Sequence, residues 1–162
     1  MRRLWSTIAI GLILIAAASL ASAQTNEQER NKALARSFFD VLDQGHLEKY
    51  AESHAPNFVA HGRERDYSLE EDMAMAREER NALPDMRMTI KEMVAERDLV
   101  VVRWMVSGTN TGNGLGFPAT GKKITVSGMT MVRCAGGKLV EEWSAWDMLS
   151  VLKQVGLFPE QK

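Results

Sequence analysis

The second half of the chain constrains the fold most. Four strand-type segments follow one another between residues 85 and 147: DMRMTIKEMVAER (85–97), DLVVVRWMVSGTN (98–110), KKITVSGMTMVRCA (122–135) and GGKLVEEWSAWD (136–147). Each is long, alternating or β-branched in character, and free of proline. Gly136-Gly137 suits a tight hairpin between the last two segments. A glycine-rich loop precedes the third. Consecutive strands joined in this way build an antiparallel meander.

The first half is helical. Ala33, Leu34, Ser37, Phe38, Val41 and Leu42 recur at helical spacing, which predicts an amphipathic helix over 26–43, stopped by Gly45. Leu47, Tyr50, Ala51 and His54 suggest a second short helix closed by Pro56, and FVAHG (58–62) reads as an extended piece. Ser68 and Glu71 in SLEE form a capping box. The helix it opens carries Leu69, Met73, Ala76 and Leu83 on one side and ends at Pro84. Helices followed by strands predict an α+β fold, with helices packed on one face of a curved antiparallel sheet. A helical cover over long strands would leave a cone-shaped cavity.

Residues 1–23 stand apart from this fold. Arg2 and Arg3 precede the apolar run LWSTIAIGLILIAAASL, and Ala21-Ser22-Ala23 supplies a small-x-small cleavage site. The pattern predicts a secretory signal peptide cut before Gln24, hence an exported protein, periplasmic or secreted, with no membrane segment after cleavage. Residues 24–162 are read as one domain. A net charge of −1 gives no electrostatic footprint for nucleic acid. The single cysteine, Cys134, cannot form an intramolecular disulfide, has no nearby histidine in sequence, and is read as structural or incidental.

Several familiar chemistries fail on spacing. GFPATGKK (116–123) approaches a phosphate-binding loop, but Lys123 replaces the metal-binding hydroxyl and the segment joins strand to strand. His46, His54 and His61 have no acidic partner at ligand spacing, so no metal is expected. No nucleophile elbow and no dinucleotide fingerprint is present. Acid–base groups remain. Strand alternation places Leu139, Glu141, Trp143, Ala145 and Asp147 on one face, and Val140, Glu142, Ser144 and Trp146 on the other. Arg103, Met105 and Ser107 share a face of one neighbouring strand, as do Met129, Met131 and Arg133 of the next. Facing a cavity, these rows would make an adaptable, Met-rich wall for a flat organic ligand. A carboxyl group beside Trp143 would have its pKa raised by desolvation and could act as a general acid or base. Asp147 has a second reading, as the N-cap of the apolar helix that follows. His61 is either a pocket acid or a half-exposed loop residue.

The run VVVRWMVSGTNTGNGLGFPATGKKITVSGMTMVRCAGGKLVEEWSAWDMLSVLKQVG (100–156), together with NFVAHG (57–62), resembles the SnoaL-like polyketide cyclases, also called ester cyclases. The resemblance implies the NTF2-like fold, a cone-shaped curved antiparallel sheet wrapped by N-terminal helices and usually dimeric. It also implies chemistry without a cofactor, in which a pocket Asp on the last strand is the acid/base of an intramolecular aldol condensation. Asp147 matches that position. Met131 and Arg133 stand where the cyclases carry polar side chains. The expectation is an enzyme with Asp147 and His61 as catalytic residues. Arg103, Met105, Met129, Met131, Glu141 and Trp143 are expected to contact a small hydrophobic carbonyl or ester substrate. The alternatives are an exported binding protein that uses the same pocket without turnover, or a dehydratase or ketosteroid-isomerase type of enzyme.

Overall fold

The structure is a computed structural model. It describes the backbone of residues 2–158 and the side chains of residues 22–158. Helix α1 (Arg2–Gln44) leads into a 3₁₀ turn (Leu47–Ser53), then strand β1 (His54–His61), strand β2 (Asp66–Ser68) and helix α2 (Leu69–Ala82). Strands β3 (Arg87–Glu96), β4 (Leu99–Thr109), β5 (Lys123–Ala135) and β6 (Lys138–Trp146) follow, and helix α3 (Met148–Val155) closes the described chain. The predicted signal peptide lies largely outside the described side chains. Among the described residues no helix is long and apolar enough to cross a membrane.

The six strands form one sheet in the order β2-β1-β6-β5-β4-β3. The meander from β3 to β6 is antiparallel throughout. Strand β1 then joins the free edge of β6 in parallel, so the sheet is mixed at that one seam. Alternation drives Val100, Val102, Trp104 and Val106 of β4, and Ile124, Val126, Val132 and Cys134 of β5, onto one buried face. Ala35, Phe38 and Phe39 of α1 pack against that face. Each such fully buried large apolar side chain contributes about 1.5–3 kcal/mol.

Polar contacts lock the layers. The predicted capping box of α2 is present, with Ser68 and Glu71 each bonded to the other's backbone N–H. The Arg80 guanidinium of α2 donates to the carbonyls of Leu42 and Asp43, and to Met86 O at 3.0 Å. It thereby adds a donor to carbonyls of the last turn of α1, where Leu42 O also accepts the Gly45 N–H at 3.3 Å. Gly45 turns the chain there with φ +73°, a conformation costly for any residue with a Cβ. The fully buried Asn110 pins the glycine-rich loop: its side chain bonds Gly112 O, Thr120 N and Thr120 Oγ1 at 2.9–3.1 Å. That loop carries Leu115 over the cavity.

One irregularity matters for the site. The β5–β6 register slips between Arg133 and Cys134: Cys134 pairs with Leu139, and Arg133 with Glu141. Val140 is the extra residue of a bulge. Leu139, fully buried, and Glu141 therefore point to opposite faces, and the alternation expected across residues 139–147 breaks at its first step.

Candidate active site

The helices and the concave face of the sheet enclose a cavity of about 740 Å³. Phe38, Met86, Trp104, Val126 and Trp146 give it apolar walls, while Tyr50, Asp72, Glu79, Thr130, Glu142 and Ser144 supply its polar groups. Asp72, Met75, Ala76 and Glu79 follow one another at helical spacing along the inner stripe of α2. Glu142, Ser144 and Trp146 are the inward row of β6, in register with Val132, Thr130 and Gly128 of β5.

A directed chain of donors orients Glu142. Trp104 Nε1–H donates to Thr130 Oγ1 at 2.9 Å, Thr130 to Ser144 Oγ at 2.7 Å, and Ser144 to Glu142 Oε1 at 2.7 Å. Gly128 makes room for the first donor, since a Cβ there would stand 2.4 Å from the Trp104 ring. On the other wall, Tyr50 donates its hydroxyl hydrogen to Asp72 Oδ2. Burial and nearby acids, Glu142 first among them, raise the Tyr50 pKa well above its ordinary value, so the phenol keeps its proton.

Among the described residues no Lys or Arg forms an ion pair with Asp72, Glu79 or Glu142. Burial, reinforced by the Asp72 charge, lifts Glu142 to about 8 and Glu79 to about 7. Asp72 is also raised, by burial opposed by the Tyr50 hydrogen bond. Glu79 and Glu142 thus exchange protons near neutrality beside the raised Asp72, and the group offers an acid and a base in one apolar chamber.

The residues singled out from sequence lie elsewhere. Asp147 is exposed, and its Oδ1 accepts the Ser150 N–H at 2.9 Å as the N-cap of α3. It does not line the cavity. Its cap reading is the one that the geometry supports. Arg103 lies on the convex face, paired with Glu92. Met105, Met129 and Met131 share that face, Met129 being 54% exposed. Glu141 is convex too, bound to Arg133 Nε at 2.5 Å. The expected Met-rich wall is therefore the outer surface, because these methionines alternate with the buried row Val102, Trp104, Val106, Val126, Thr130 and Val132 of the same two strands. Only His61 and Trp143 reach the cavity, at its mouth. Their rings stack at 4.6 Å, and His61 Nδ1 lies 2.9 Å from Asp66 Oδ1.

Tyr50, Asp72, Glu79 and Glu142 escaped the sequence reading as site residues. One signal was present: Asp72 and Glu79 sit four before and three after Ala76, on the apolar stripe of α2. Cys134 is buried, and burial pushes its thiol up to about 11.

The sequence profile of the SnoaL-like polyketide cyclases matches residues 32–155. The fold is similar to that of AclR from Streptomyces galilaeus, described as a candidate hydroxylase, with a TM-score of 0.77 and 24% identity over 83% of this chain and 86% of that one. A candidate SnoaL-like polyketide cyclase from Jannaschia sp. CCS1 superposes with a TM-score of 0.74 at 22% identity, covering 82% of this chain and 96% of that one. IdmH from Streptomyces antibioticus, a candidate polyketide cyclase, gives 0.68 at 26% identity, with coverage of 78% and 98%. No functionally curated protein matches the chain in sequence. The matched profile spans most of the chain and the fold is shared, so this protein belongs to the SnoaL-like polyketide cyclase family.

Proposed function

We propose that the protein is a cyclase-type enzyme that moves a proton on a small hydrophobic carbonyl or ester compound held in the cavity. The observation that carries this reading is the trio of Asp72, Glu79 and Glu142, without a cationic partner among the described residues, inside aromatic walls. An ionised carboxylate of the trio removes the proton beside the substrate carbonyl. A protonated neighbour donates a hydrogen bond to the carbonyl oxygen, where negative charge develops. The enolate carbon then forms the new C–C bond to a second carbonyl of the same molecule, and the carboxylic acid delivers its proton to the oxygen formed there. Glu142, oriented through Ser144, and Glu79 are the proposed proton carriers. The proposal includes export after removal of residues 1–23, and pairing of two copies.

A test needs no knowledge of the natural substrate. Protein incubated in D₂O with aromatic ketones and β-keto esters is expected to catalyse deuteration beside the carbonyl, read by mass spectrometry. Glu142→Gln should abolish the exchange, and Asp147→Asn should keep it. Probes recovered undeuterated would favour a binding protein instead, and exchange that survives Glu142→Gln would remove Glu142 from the mechanism.

The His61–Asp66 pair favours a second reading, a dehydratase or isomerase in which His61 is the base. Its free Nε2 lies 3.8 Å from Glu141 Oε1 on the convex side, which is why the carboxyl trio is preferred. Loss of deuteration in His61→Gln with retention in Glu142→Gln would reverse that preference.

A further inference from the structure

The buried His54 and the cavity-lining Asp72 and Glu142 each bring a metal-ligating atom within 4.8 Å of the other two. The Nδ1 of His54 lies 2.8 Å from Tyr50 O and 3.0 Å from Ser53 Oγ. A carbonyl only accepts, so the ring proton sits on Nδ1 and Nε2 carries a bare lone pair. His54 is 3% exposed, and Nε2 has no hydrogen-bond partner. The second oxygen of Glu142, Oε2, is likewise buried and unpartnered. Two buried polar atoms without partners, one a nitrogen lone pair and one a carboxyl oxygen, on side chains whose ligating atoms come within 4.8 Å, call for a common occupant.

The surroundings match those of metal ligands. Each of the three side chains is held by a hydrogen bond on its other polar atom: His54 Nδ1–H to Tyr50 O, Asp72 Oδ2 from the Tyr50 hydroxyl, and Glu142 Oε1 from Ser144. Such outer contacts fix the imidazole tautomer and aim the donors. Tyr50 serves two of the three ligands at once. One nitrogen and two carboxylates suit manganese, iron, cobalt or zinc, whereas calcium requires six to eight oxygens. An ion about 2.0–2.2 Å from each donor draws the donors to about 3–3.5 Å from one another, a contraction that rotation of the two carboxylates supplies.

We propose that His54, Asp72 and Glu142 form a site for a divalent first-row transition-metal ion, with open coordination positions facing the cavity. This rests on the reading of the cavity as a substrate chamber. With the ion bound, Glu142 would exchange the proton-carrying role it has in the metal-free protein for that of a ligand beside Asp72, Glu79 would remain the proton acceptor, and the ion would offer a Lewis acid to the substrate carbonyl oxygen.

The test is a Co²⁺ titration of chelator-treated full-length protein, followed by visible absorption and calorimetry. One equivalent is expected to bind with ligand-field bands. Affinity should fall at least tenfold in His54→Ala and in Glu142→Gln, with no change in Asp98→Asn. Ser144→Ala should weaken binding about tenfold, because only the outer contact is lost. Far-UV circular dichroism checks folding, and Glu142→Gln, which keeps the shape of the side chain, tests the site if His54→Ala fails to fold. No stoichiometric binding, or binding unchanged in Glu142→Gln, overturns the site. Deuteration in chelator-treated protein separates the two readings: exchange without Co²⁺ binding sinks the metal site alone, and Co²⁺ binding without exchange under any loading sinks the proton-transfer reading alone.

Discussion

Glu141 and Glu142 are neighbours in sequence and opposites in environment. On the convex face, Glu141 meets Arg133, which also binds Asp98 at 2.6 Å, so its charge is paired and partly solvated. On the concave face, Glu142 meets Ser144, two further acids and aromatic rings, and burial lifts its pKa to about 8. The side chains are chemically identical. One pleat of a strand decides which is a surface ion pair and which is a reactive group.

The largest expected effect breaks this comparison directly. Glu142→Gln should lower the rate of carbonyl-adjacent deuteration by roughly 10²- to 10⁴-fold, the usual reach of a general acid–base group. Glu141→Gln should change it less than about threefold. Equal losses in the two variants would erase the distinction between the faces.

The next effect lies in the pH dependence of stability, measured by urea unfolding of chelator-treated protein. The folded pKa values of Glu142 and Glu79 are raised from 4.5 to about 8 and about 7. Between those limits the native state holds more protons than the unfolded chain, so stability falls as pH rises from about 4.5 to about 8. Glu142→Gln should flatten that slope and leave the protein more stable at pH 8 than the parent. Asp85, Glu71, Glu92 and Asp98 are depressed, chiefly by hydrogen bonds from Thr109, Ser68, Arg103 and Arg133 respectively. Their contribution is lost as pH falls below about 4, on the opposite side of the window. A slope identical in parent and Glu142→Gln would show that Glu142 is not held protonated.

Thr130→Val is nearly isosteric and cuts the donor chain at its middle. It leaves the Trp104 N–H without its acceptor and Ser144 without its donor, at a cost of about 1–3 kcal/mol. Near-ultraviolet circular dichroism should report the altered Trp104 environment, and an unperturbed signal with full stability would argue against the chain. The smallest effect belongs to the other end of β6: Asp147→Ala should cost about 1 kcal/mol of stability through loss of the α3 cap and leave deuteration intact. A loss of turnover larger than the loss of stability would return Asp147 to the mechanism.

Local rules carried the fold a long way. Proline-free alternating segments between glycine turns gave the meander, and Ser68 with Glu71 announced the start of α2, because hairpins and capping boxes form between residues close in the chain. The parallel docking of β1 on β6 was not legible, since it joins segments some eighty residues apart. The site was legible only in outline. Reading from Leu139, simple alternation aims Glu141 inward. The bulge at Val140 inverts that choice, and no residue type in KLVEEW announces it. Asp147 stood out because an acid before an apolar helix is visible in any window of ten residues, and its cap function is local for the same reason.

By itself, then, the sequence determined the α+β class, the boundaries of β3 to β6 within a few residues, the α2 cap and the family, because each is written in short-range periodicity or in a recurring motif, whereas β1 already begins at His54, where a helix closed by Pro56 was expected, and β2 was not foreseen. Only the tertiary structure decided which face of the sheet is concave, which glutamate is desolvated, and that His54, dismissed for lack of a partner nearby in sequence, lies with Asp72 and Glu142. The physical reason is common to all three. A pKa shift or a ligand set depends on distances through space in a low-dielectric interior, and those distances arise from the registers of β1, β5 and β6 and the docking of α2.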